Sequence, residues 1–418
     1  MDTVRPNGRP AGRVALTLRL TPLRLVLLLL ALLLPWGVLL WQSCRAPALR
    51  TLRNTEVPGA LPHREIVSGP WGSLEIEPII LDYPSTHTVF DFDLEPYRRW
   101  IFRDATLDTI RQRLAAAGLD AAAVEACVRT ASADAALRGF VLRPPDALVR
   151  AMTPTVRAAV YSELARDPAN LAQAHPFLFR GTTLQEWFVD SGVSVQTMAQ
   201  IEPLLYRREN CLLFSDPQLV VPGIASRFER ARLYQTLRRT ATLRVRLLPN
   251  AGTAPEAIRD YWGHPDRASE IEPLLTALAT HPDGLSIVTF LPDFARSRLY
   301  TYPEAHLRDD HTKHDCHWAA LNFFRDPPDD SVSTNVSTVL ARDYEAVASP
   351  SQFGDLALLF HNDRLVHSCV YLAGDIVFTK NGIGSGDPFV LERLDDLVRC
   401  YRGVYGNIRL AFARRKGT

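Results

Sequence analysis

The apolar positions of the chain fall into three regimes. From Leu25 to Trp41 it reads LVLLLLALLLPWGVLLW without a charge, and Arg5, Arg9, Arg13, Arg19 and Arg24 precede that run. A stretch so uniformly apolar offers no polar face to water around a globular core. It predicts a signal sequence or one membrane helix near residues 23–41, at the short limit of the about 17–25 residues a span needs, with Pro35 tolerated inside it. The arginine cluster should stay cytoplasmic, which puts everything beyond about Ser43 on the periplasmic or extracellular side. Cys44 offers a lipidated alternative, although Trp41-Gln42-Ser43 places an indole where a lipobox has a Leu-like residue.

The second regime is helical. After a Pro- and Gly-rich linker with a few short strands at 45–85, the spacing predicts a helix in PYRRWIF. Another follows in TLDTIRQRLAAAG, with Leu107, Ile110 and Leu114 on one side and Gly118 as its cap. Further helices are predicted at 120–135, 144–166, 183–207 and 223–238. Alternation predicts strands at Thr242–Leu248 and Leu285–Leu291. The aromatics Trp187, Phe188, Tyr206 and Phe214 read as core rather than as a cofactor box. The chain therefore divides into a tail and signal anchor (1–44), the linker (45–85), a mixed, mainly helical region (86–285) and a C-terminal domain (286–418).

Composition removes several classes. With 418 residues, 47% hydrophobic and 22% charged, the chain can build a buried core, and its net charge of +1 carries no field for nucleic acid. The six cysteines form no CxxC pair, and no Walker loop, GxGxxG or HExxH occurs. No cofactor and no metal is expected. A zinc reading of His311, His314 and His317 with Asp309, Asp310 and Cys316 fails on a helix, because three-residue steps fan the rings apart.

Chemistry is concentrated in the third regime. In LYTYPEAHLRDDHTKHDCHWAALNFF, Asp315 is a good N-cap and Cys316 takes the first position of a helix over CHWAALNFF. Unpaired N–H groups there should lower the thiol pKa. Next, SQFGDLALLFHNDRLVHSCVYLAGDIVFTKNG predicts three antiparallel strands, Gly354–Phe360, Leu365–Leu372 and Ile376–Asn381, with turns at HNDR and Ala373-Gly374-Asp375. Alternation puts His367, Cys369 and Tyr371 on one face. A three-residue turn sets Asn381 opposite His367 as its neutral orienter, with Thr379 opposite Cys369. A two-residue turn would bring Lys380 to that face instead.

A cysteine at a helix start followed by a histidine on an antiparallel strand is the papain-type order. DCHWAALNFF resembles the DCSGLV-type motif of the NlpC family of cell-wall peptidases, and FGDLALLF with LVHSCVYLAGD resembles that family's GDLVFF and HVGIYLG segments. The likeness covers about residues 300–400. It implies an α+β chain ending in a papain-like domain, a helix packed on an antiparallel sheet, with Cys316 as nucleophile, His367 as general base and Asn381 or Thr379 as the third polar residue. His317 stands where the family commonly has Ser, Cys369 stands where Gly is usual, and the third position is displaced. The implied function is a membrane-anchored, exported thiol hydrolase acting on peptidoglycan stem peptides. Competing expectations are an inactive papain-like scaffold at the cell envelope and a thiol acyltransferase.

Overall fold

The computed structural model describes residues 64–417, apart from 89–91, 180–182, 209–210, 250–251, 265, 304–313, 383 and 385. The apolar segment at 23–41 and Cys44 lie outside the described residues. Among the described residues no helix is long and apolar enough to cross a membrane.

The protein mixes helices with antiparallel sheets. Its strands begin with β1 (Glu65–Gly69), β2 (Gly72–Leu81), β3 (Trp100–Phe102), β4 (Ser132–Asp134) and β5 (Gly139–Leu142). Then come β6 (Phe177–Phe179), β7 (Tyr206–Arg208), β8 (Cys211–Phe214), β9 (Thr240–Leu248) and β10 (Leu285–Ser286). The last six are β11 (Tyr344–Val347), β12 (Leu356–His361), β13 (Arg364–Ala373), β14 (Ile376–Lys380), β15 (Phe389–Arg393) and β16 (Arg409–Arg415). They form a sheet ordered β1-β2-β9-β10, two small sheets β3-β5-β4 and β6-β8-β7, and a six-stranded sheet β11-β16-β12-β13-β14-β15.

One core gathers buried side chains from Trp100 to Leu237, including Trp187, Phe188, Tyr206 and Phe214, so that aromatic cluster is core. A second joins Leu74, Val245, Trp262 and Phe294 to Trp318, Val370 and Phe378 on one face of the large sheet. The third is thin: Ala357, Leu359, Cys369 and Val377 on the other face meet Leu394, Leu397 and Val398 of the helix Leu394–Tyr405. Each such aliphatic side chain contributes roughly 1.5–3 kcal/mol when fully buried.

Several expected helices are shorter or are strands, each for a local reason. PYRRWIF gives a 3-10 turn, Glu95–Tyr97, and then β3, whose three side chains are all buried. The helix expected at 120–135 stops at Val128, with β4 following. The one at 144–166 divides, because Thr153 caps a new helix whose first residue is Pro154. The stretch 183–207 holds a capping-boxed turn, Leu184–Trp187, then the helix Val195–Ile201, then β7. Leu285–Leu291 is a strand only at Leu285–Ser286, since the Ser286 side chain accepts from Val288 N–H and starts a 3-10 turn. The strand around Thr242–Leu248 forms as β9.

Candidate active site

Cys316 occupies the first position of the helix Cys316–Leu321. Asp315 caps it, its carboxylate accepting from Trp318 N–H at 2.7 Å. The helix is shorter than CHWAALNFF because the Asn322 side chain takes the Trp318 carbonyl and binds both the N–H and the C=O of Asp329. Trp318 is buried in the second core and His314 stacks on it, centroids 3.9 Å apart. That anchors the helix against the face of β13 that carries Val370 and Leu372.

The Gly-Asp pair of the FGDL segment is structural. Gly354 has φ +95 and a Cβ there would meet the Phe324 ring at 2.4 Å, so no larger residue fits. Asp355 is 1% exposed and accepts from Ser351 and Gln352 N–H while binding Arg414 of β16 through both oxygens. Burial alone would raise its pKa; those bonds hold it below the ordinary value.

The hairpin β13–β14 departs from the expected three-residue turn. Ala373 pairs with Ile376, leaving a two-residue turn at Gly374-Asp375 with Gly374 at φ +64. Leu372 is then an extra residue, and beyond this bulge Tyr371 pairs with Val377 and Val370 with Phe378. The bulge restores the register that a three-residue turn would have set. Thr379 therefore shares a face with His367, and Lys380 points to the opposite face.

His367 is fully buried, and both ring nitrogens meet hydroxyls: Nε2 lies 2.8 Å from Thr379 Oγ1 and Nδ1 lies 2.8 Å from the Tyr401 hydroxyl. Thr379, rather than Asn381, touches the ring. The imidazole leans along the strand to its diagonal neighbour, while Asn381 is drawn toward β15 by a bond from its Nδ2 to Glu392. The direction of this chain can be read from its ends. Asn381 Nδ2 donates to the Glu392 carboxylate, so its Oδ1 accepts from Thr379 O–H at 3.1 Å. The Thr379 oxygen must then accept from His367, which makes the neutral ring the Nε2–H tautomer. Nδ1 is left as the base, and Tyr401 O–H donates into it.

Cys316 is 8% exposed, and its sulfur receives the N–H groups of Ser368 and His317. The thiol is not lowered by its helix position. Burial pushes it up to about 12 and Asp315 adds to this, outweighing both N–H donors and the charge of Lys380. Lys380 is itself fully buried; its Nζ donates to Gly382 O at 2.8 Å and Gly384 O at 3.0 Å, and burial lowers its pKa. Tyr401 links the two halves of the site. Its hydroxyl holds His367 Nδ1, and its pKa is raised well above the ordinary value by burial first and by charge on Cys316 next.

The structure thus brings His367, Thr379, Asn381, Glu392 and Tyr401 into one connected chain. Cys316 lies at its Tyr401 end, beside Ser368, His317 and Lys380. Cys369 faces the third core, with burial raising its thiol far above the ordinary range and its sulfur 3.7 Å from Ala357 O, so it is packing. His314 and His317 diverge, one to Asp330 and the other to Ser368 Oγ at 2.8 Å, while Asp309, Asp310 and His311 lie outside the described residues. Sequence reasoning missed Ser368, Glu392 and Tyr401. Tyr401 sits in LDDLVRCYRGVY, whose apolar spacing shows a helix but not the strand it covers.

Compared with known proteins, the chain matches no family model, no curated sequence and no solved structure.

Proposed function

We propose that the chain is an anchored, exported thiol hydrolase of papain-like type that cleaves amide bonds, with peptidoglycan stem peptide as substrate. The observation that carries this reading is the one-way chain Glu392–Asn381–Thr379–His367, which leaves Nδ1 of a buried imidazole as a base beside a thiol at a helix start. In the resting protein the thiol is protonated. Its proton therefore passes to His367 Nδ1 as the sulfur attacks the amide carbonyl, and Tyr401 must yield that nitrogen first. The C–N bond breaks as His367 returns the proton to the leaving amine. Water, deprotonated by the same nitrogen, then releases the acid and frees the thiol. Main-chain N–H groups at the helix start are the donors for the oxyanion. The apolar run at 25–41 and the arginines before it support the anchor and the outward orientation, and the likeness of DCHWAALNFF and LVHSCVYLAGD to the NlpC family supports the substrate class.

A second reading is an inactive papain-like scaffold, favoured by the buried, protonated thiol and by Tyr401 on the base. The two separate on Cys316→Ser. With purified cell wall as substrate and release of free amines as readout, the hydrolase reading expects activity to fall by at least about a thousandfold with folding intact, because a hydroxyl is a far weaker acid than a thiol. Full activity in Cys316→Ala, or none in the unaltered protein, would replace this reading with the scaffold.

A further inference from the structure

Between the small sheets and the large one lies a cavity of about 400 Å³, within the size range of small-molecule sites. One wall is apolar and aromatic: Tyr97 and Phe177 stack at 6.3 Å with an interplanar angle of 7°, and Leu213 and Val390 extend it. The other wall is cationic. Among its arginines, Arg239 is paired with Asp82 and Arg399 with Asp396, and Arg238 lies over the rings of Tyr83 and Tyr234. Arg208 differs from these, since its Nε and Nη2 are buried and make no hydrogen bond within the protein. A buried guanidinium with two unused N–H groups is costly, and the cost is relieved when an anion accepts from both. The two carboxylates of the cavity do not fill that role. Asp387 accepts from Gly384 N–H and faces Lys380 and Arg238, and Glu392 accepts from Asn381.

We propose that this cavity is a binding site for a small amphipathic carboxylate, with its carboxylate on Arg208 and its apolar body against Tyr97 and Phe177. The site does not depend on the thiol chemistry, and it borders Asn381, Glu392 and Tyr401, through which an occupant would touch the groups that hold His367.

The test is equilibrium binding to the full chain by titration calorimetry, with 4-phenylbutyrate as probe and 4-phenylbutan-1-ol as its neutral counterpart. The acid should bind saturably and at least about tenfold more tightly than the alcohol, and Arg208→Gln should remove most of that preference while leaving Tm within a few degrees. Equal binding of acid and alcohol, undiminished binding by Arg208→Gln, or no saturable binding of the acid would overturn the proposal. Should Arg208→Gln fail to fold, Val404→Trp decides instead. Val404 is 48% exposed and lines the same cavity, so the larger ring is tolerated and narrows it. Binding of the acid should weaken at least fivefold, and unchanged binding would overturn the site.

Discussion

Two buried polar clusters, one in the core of the small sheets and one in the large sheet, solve the cost of burial in opposite ways. In the first, Arg157 and Asp216 are 0% and 1% exposed and face each other at 3.4 Å. Arg157 also donates to Pro203 O and Val149 O, while Tyr161 and Gln218 donate to Asp216. The charges cancel within the cluster and each ion is held by further bonds, so it closes on itself. In the second, Glu392, Asn381, Thr379 and His367 pass hydrogen bonds in one direction, from an anion to an imidazole whose remaining nitrogen is held only by a phenol. A closed cluster fixes a core. An open one leaves a group able to exchange a proton, and that difference marks the large sheet as the place of chemistry.

The comparison breaks first at the ion pair. Arg157→Leu strands a buried carboxylate and should cost about 3–5 kcal/mol of stability in denaturant unfolding. Chemistry at Cys316, measured in the fraction that remains folded, should be unaffected. A loss below about 1 kcal/mol would mean that the first cluster is as open as the second.

The next effect falls on the ring. Thr379→Val keeps the volume but removes the acceptor that sets the tautomer, so the rate of amide cleavage should drop by roughly ten- to a hundredfold. Asn381→Ala, one bond further away, should cost less, because Thr379 still touches His367. The reverse ranking would show that the bulge at Leu372 slips and that Asn381 reaches the ring.

That register shows what the sequence could and could not disclose. Alternation alone placed His367, Cys369 and Tyr371 on one face, and the turn residues located the hairpin. The bulge left no mark, because Leu372 is an ordinary strand residue and Gly374-Asp375 suits two turn lengths. The helix start at Cys316 was legible from Asp315, yet its effect on the thiol was not, since burial by tertiary neighbours outweighs a local dipole. Nor could helical spacing tell that Trp262 and β9 join the core of the large sheet, because a periodic face does not name its partner.

Tyr401→Phe probes the end of the chain. Removing the hydroxyl leaves His367 Nδ1 available to the thiol, so alkylation of Cys316 by iodoacetamide at neutral pH should quicken about two- to tenfold. A slower reaction would mean that the phenol carries the proton between sulfur and ring instead of stoppering it.

The smallest effect distinguishes the two faces of β13 by pH. His317, on the Cys316 side, donates or accepts at Ser368 Oγ at 2.8 Å, and its pKa is lowered by burial, only partly offset by Asp315. The folded state therefore prefers the neutral ring. Above the unfolded value near 6.5 this preference has no effect, because the ring is neutral in both states. Below it, the unfolded chain takes up a proton that the folded chain resists, and stability falls as pH drops, by at most about 1.4 kcal/mol per pH unit for this one group. His264 and His314 are lowered in the same direction, so the protein as a whole should lose stability from pH 6.5 to 5. His317→Gln, which cannot take up that proton, should flatten the loss by one histidine's share in urea unfolding measured across that window. An unchanged slope would place His317 in water-like surroundings and would remove the buried neighbour that helps keep the Cys316 thiol protonated.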